Sequence, residues 1–74
     1  MLLTVRNRTI EINDELVARY EKIGFGSIDE LFALAEISTT HRCHIDDALE
    51  TLTDGEIAKT IEDAIMDYID VSGV

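Results

Sequence analysis

The 74-residue chain has no proline, no tryptophan, one cysteine, two tyrosines, two phenylalanines and only six basic residues. Each shortage excludes something. A lone Cys43 cannot build a disulfide framework, so the expectation is a reducing compartment and a core that stands without covalent staples. No unbroken apolar run approaches the roughly 20 residues of a membrane-spanning helix. The opening Met1-Leu2-Leu3-Thr4-Val5-Arg6 offers neither the basic start nor the apolar stretch of a secretory signal, which predicts a cytoplasmic protein. Without proline, low-complexity tracts or internal repeats, nothing marks a linker, and residues 1–74 read as one small domain.

What the chain does have is apolar residues near the globular norm (46%) and a large excess of acid, sixteen Asp and Glu against six Lys and Arg. The formal net charge of −10 exceeds the magnitude of about 2–8 that suits a small soluble domain, so the compact state repels itself. The charge is uneven. Residues 1–22 balance Arg6, Arg8, Arg19 and Lys22 against Glu11, Asp14, Glu15 and Glu21, so the whole excess falls on residues 23–74. Such a surface repels phosphate backbones and anionic lipid, and its natural complement is a basic protein.

Leu3 and Val5 alternate with Thr4 and Arg6, and Ile10 and Ile12 alternate with Thr9 and Glu11, which predicts a short antiparallel hairpin over residues 1–12. An Asn7-Arg8 loop would set Val5 opposite Ile10 and Leu3 opposite Ile12, with all four on one side. Residues 13–74 then read as a bundle of about four helices, giving a mainly α (α+β) fold. Asn13 caps a first helix that Gly24 stops. Ser27-Ile28-Asp29-Glu30 matches a capping box for a second over roughly 28–37, and Ser38-Thr39-Thr40 breaks the pattern. Ile45, Ala48, Leu49 and Leu52 mark a third. Thr53-Asp54-Gly55-Glu56 is another capping box, opening a fourth helix over about 54–70 whose stripe of Ile57, Ala58, Ile61, Ala64, Ile65, Tyr68 and Ile69 anchors the core.

Enzyme templates are missing: there is no Walker loop, G-x-G-x-x-G, G-x-S-x-G or H-E-x-x-H. Gly24-Phe25-Gly26 lacks the third glycine of a dinucleotide turn and reads as an interhelical hinge. Asp46-Asp47 and Glu62-Asp63 are neighbours on a helix, about 100° apart around its axis, and form no catalytic dyad. His41, Cys43 and His44 place three soft ligands close together, with Asp47 one turn on. A structural zinc site needs ligands from a second cluster, and no other Cys or His exists. The expectation is no metal, no cofactor and no catalytic residue, with Cys43 a small, partly buried thiol.

The informative feature is the far side of the fourth helix. At about 100° per residue, Glu56, Asp63, Asp67 and Asp70 fall in a sector roughly 60° wide. Asp63 and Asp67 form an i,i+4 like-charge pair, and Asp67 and Asp70 sit near the helix C-terminus, where the dipole favours cations. The third helix adds Asp46, Asp47 and Glu50, again with an i,i+4 repulsion between Asp46 and Glu50. Asp63 and Asp67 lie about 6 Å apart along the axis and Glu56 and Asp63 about 10 Å, against a phosphate step of about 3.4 Å on one DNA strand. These seven acids predict a non-enzymatic module that occupies the basic, nucleic-acid-binding surface of a partner protein. In size and charge the chain resembles the anti-restriction and anti-CRISPR inhibitors of phages and other mobile elements, which implies an inhibitor. The alternative is a homodimeric structural or assembly subunit whose acidity only keeps it in solution.

Overall fold

The computed structural model describes residues 1–42 and 44–72. In chain order they form β1 (Leu2–Val5), β2 (Arg8–Glu11), α1 (Asp14–Ile23), α2 (Glu30–His41), α3 (Ile45–Thr51) and α4 (Asp54–Val71). The expected hairpin and four helices are present.

The hairpin closes through Arg6-Asn7 instead of Asn7-Arg8, pairing Leu3 with Ile10, Thr4 with Thr9 and Val5 with Arg8. Moving the loop by one residue shifts the pairing by two, which preserves which face each side chain occupies, so Leu3, Val5, Ile10 and Ile12 are all buried as expected. The observed register adds a rung: the Ile12 amide donates to the Met1 carbonyl at 2.7 Å and the Met1 amino group donates to the Ile12 carbonyl at 2.7 Å. It also frees the Arg8 guanidinium to reach the Leu49 carbonyl and the Asp54 carboxylate, at 2.5 and 2.6 Å. Arg6 accordingly sits at φ 59° while Asn7 does not have positive φ, the sign pattern of a II′ turn, in which glycine is the usual first residue.

Helix α1 begins as expected, with the Asn13 side chain accepting the amides of Glu15 and Leu16, and ends on Gly24 at φ 90°. Helix α2 departs from expectation at both ends. Its cap is Asp29, which accepts the Phe32 amide at 2.9 Å, so the helix starts two residues late and Ser27-Ile28 stays non-helical while Ile28 enters the core. Ser38-Thr39-Thr40 does not break it; the helix runs on to His41 and closes at Arg42, φ 52°. Serine and threonine cost at most about 0.7 kcal/mol each relative to alanine in a helix, and the added turn brings His41 within 3.2 Å of the Thr60 hydroxyl of α4. In α3 the His44 ring accepts the Asp46 amide and acts as the cap. The capping box of α4 has both its bonds, Glu56 amide to Thr53 hydroxyl and Thr53 amide to Glu56 carboxylate.

Helix α4 packs on α1, α2 and β2. Ile57, Ile61 and Ile65 are fully enclosed with Val5, Ile10, Ile12 and Ile37, so one core joins hairpin and bundle. Tyr68, expected in that stripe, stands at its rim and remains 38% exposed.

Two stability effects follow. Replacing Ile61 with Ala should cost about 2–5 kcal/mol in chemical denaturation. Arg6→Gly should instead stabilise by about 0.5–1 kcal/mol, because glycine relieves the positive φ and the Arg6–Asp46 contact at 3.9 Å is exposed. A lowered denaturation midpoint in Arg6→Gly would contradict this turn geometry.

Candidate partner-binding surface

Many of the acids have structural partners. Asp29 and Glu56 cap helices, Glu30 accepts the Arg6 amide at 2.7 Å, and Glu62 accepts the Asn13 amide at 2.9 Å. Asp14 meets the Met1 amino group, and Asp54 meets Arg8. Asp63, Asp67 and Asp70 have no such partner: like those of Glu11, Glu15, Glu21, Asp47 and Glu50, their side chains are exposed and make no hydrogen bond or ion pair among the described residues, and these three stand together on α4.

The structure divides the seven sequence-predicted acids between separate places. Glu56, Asp63 and Asp67 share a trough of about 350 Å³ between α2 and α4, where Glu36, Thr40 and His41 form the opposite wall and Thr60 and Ala64 line the bottom. Lys59 is the only Lys or Arg along it. Asp70 and Asp67 border a second depression with Arg19, a base on α1 that the sequence alone gave no reason to place there. Asp46 and Glu50 lie beside Arg6 and Arg8 of the hairpin, and Asp46 is 3.9 Å from the Arg6 guanidinium. Asp47 is exposed and borders none of these depressions. The sequence reading missed Glu36, which lies within the expected second helix but meets Asp67 across the trough only through the packing of α2 on α4.

Within the trough, the Thr60 hydroxyl donates its single hydrogen to the Glu56 carbonyl at 2.9 Å. The contact between Thr60 Oγ1 and His41 Nε2 at 3.2 Å must then be donated by the imidazole. Glu56 is held below the ordinary carboxylate range, chiefly by the Thr53 amide and then by the Thr53 hydroxyl. His41 and His44 thus each have a structural partner, and among the described residues no three His, Asp or Glu side chains gather as a metal site. The readings that involve Cys43 fall outside the described residues.

All four aromatic side chains of the protein meet at the other end of the trough, a grouping that periodicity did not reveal. Tyr20 lies 6.1, 5.4 and 5.7 Å from Phe25, Phe32 and Tyr68, centroid to centroid. Tyr68 also lies 5.7 Å from Phe25 and 6.0 Å from Phe32. The Tyr68 hydroxyl donates to Glu36 Oε1 at 3.1 Å, and that bond raises the Tyr68 pKa. Burial, followed by the charges of Glu36 and Asp29, raises that of Tyr20.

Comparison with protein-family models, with curated proteins and with solved structures finds no match. The geometry alone defines a small, mainly helical domain with an acidic trough between α2 and α4.

Two measurements check the electrostatics. Asp67→Asn should raise stability by about 0.2–0.5 kcal/mol at low salt, with the gain shrinking near 1 M salt, and Asp63→Asn by less because Lys59 lies four residues before it on α4; a loss of stability in Asp67→Asn would mean that its carboxylate has a partner within the fold. Because Glu56 titrates lower when folded than when unfolded, its carboxylate stabilises the fold above the usual glutamate range, and that contribution disappears as pH falls through the lowered value. The advantage of the parent over Glu56→Ala in urea denaturation should therefore be larger at pH 7 than at pH 3. An equal advantage at both would contradict the capping role of the charge.

Proposed function

We propose that this chain is a non-enzymatic binding module whose acidic α4 face occupies a basic, nucleic-acid-binding surface of a partner protein in the cytoplasm. The observation that carries the reading is the set Asp63, Asp67 and Asp70, whose exposed side chains have no partner among the described residues and stand together on one side of α4. Like charges at i,i+4 and carboxylates near a helix C-terminus weaken the free domain. Sequences that break local rules in this way often do so at functional surfaces. Among the described residues no helix is long and apolar enough to cross a membrane, and the net charge of −10 opposes direct contact with nucleic acid. By size and charge the module suits the inhibitor role played by the anti-restriction and anti-CRISPR proteins of mobile elements.

The open hairpin edges favour a second reading, a homodimer. Since Met1 and Ile12 exchange both bonds, the alternating ladder leaves the amides and carbonyls of Leu2 and Thr4 pointing outward along β1, which has only β2 as neighbour. Sedimentation at micromolar concentration separates the two, since a concentration-independent monomer removes the dimer.

Capture of binding proteins from cell lysate at low salt, repeated with Asp63, Asp67 and Asp70 all changed to Asn, tests the main reading. Asn keeps size and polarity while deleting charge. Basic partners should be retained by the parent, released near 0.5 M salt and lost in the folded variant. Capture that is indifferent to both salt and neutralisation would rule the electrostatic surface out.

A further inference from the structure

The aromatic end of the trough calls for an explanation that core packing does not give. Phe25 is 53% exposed beside Tyr68 at 38%, although the fully apolar Phe25 ring gains nothing from water. Phe25 stands between Gly24 at φ 90° and Gly26 at φ 132°, and an added Cβ would meet nothing within 4 Å at either. The glycines are therefore needed for backbone conformation and not for space, and that conformation holds the Phe25 ring 5.7 Å from Tyr68. The Tyr68 ring is fixed in turn by its bond to Glu36. A depression of about 270 Å³ lined by Glu36, Ala64, Asp67, Tyr68 and Val71 shares its first three residues with the acidic trough, so the Tyr68 ring and the carboxylates form one continuous surface, with Phe25 packed against Tyr68.

We infer that this aromatic end is the docking point for an arginine-bearing segment of a partner protein, its guanidinium stacked on the exposed rings of Phe25 and Tyr68 and its charge facing Glu36 and Asp67. The inference rests on the acidic-face reading and narrows it from cations in general to arginine. Guanidinium is planar and weakly hydrated, so it can lie on a ring and bond a carboxylate at the ring edge at once, whereas the compact lysine ammonium keeps its water. A neutral apolar helix would use the rings and leave the carboxylates buried and unpaired. A nucleic-acid base could stack there too, but its phosphates would meet Asp63 and Asp67.

Titration of the intact chain with nona-arginine and nona-lysine peptides at low salt tests this. The parent should bind the arginine peptide about three- to tenfold more tightly. Phe25→Ala, at an exposed turn, should bring that ratio close to one with little change for the lysine peptide. The double variant Asp63→Asn/Asp67→Asn should weaken both peptides. Ring-proton resonances of Tyr68 and Phe25 in the unaltered protein should move with the arginine peptide and stay in place with the lysine peptide, a readout that needs no variant to fold. Equal affinities with no ring shifts would overturn the arginine assignment and leave the acidic face standing. Binding of neither peptide, or binding untouched by neutralisation, would overturn both.

Discussion

Burial of one side of α4 is the constraint on which the other features depend. Ile57, Ile61 and Ile65 are enclosed by hairpin residues Val5, Ile10 and Ile12 and by Ile37 of α2. This shared core lies where α4 packs on α1, α2 and β2, so the orientation of α4 about its axis is fixed by its isoleucines. The residues half a turn away must then face water. Because those residues include Asp63, Asp67 and Asp70, the same packing that stabilises the fold displays its unpaired charge.

The acids divide by purpose when their partners are considered. Those at helix starts satisfy amides that would otherwise lack a bond, as Asp29 does for Phe32 and Glu56 for Thr53. Those near the hairpin hold its arginines, as Asp54 holds Arg8. Glu62 of α4 likewise satisfies the Asn13 amide, but neither explanation covers Asp63, Asp67 and Asp70, where charge repels charge and the helix C-terminus favours cations. Glu36 links this face to the aromatic cluster through the Tyr68 hydroxyl, so electrostatic and stacking surfaces are joined by one carboxylate.

Much of this was legible in the sequence, for identifiable reasons. Caps are local chemistry, so Asn13, Gly24 and the Thr53/Glu56 box could be read directly, and the period of the isoleucines gave α4. The hairpin was legible in its faces but not in its register, because side-chain parity is unchanged by a two-residue shift and the deciding contacts, Arg8 with Asp54 and Leu49, join distant parts of the chain. Ser38-Thr39-Thr40 misled because weak propensity yields to tertiary contact, here of His41 with Thr60. The acidic ridge could be counted from angles alone, yet its division into a trough with Glu36, a flank beside Arg19 and a neutralised patch beside Arg6 depends on tertiary packing. The meeting of Tyr20, Phe25, Phe32 and Tyr68 required three segments to converge and left no periodic trace.

The central claim is that the carboxylates of α4 are a liability in the free domain and an asset once something cationic covers them. The direct measurement is the free-energy effect of Asp63→Asn/Asp67→Asn determined twice, on the free domain by denaturation and on its complex with an arginine-rich peptide by titration. The account predicts opposite signs, a more stable free domain and a weaker complex. The same sign in both states would contradict it.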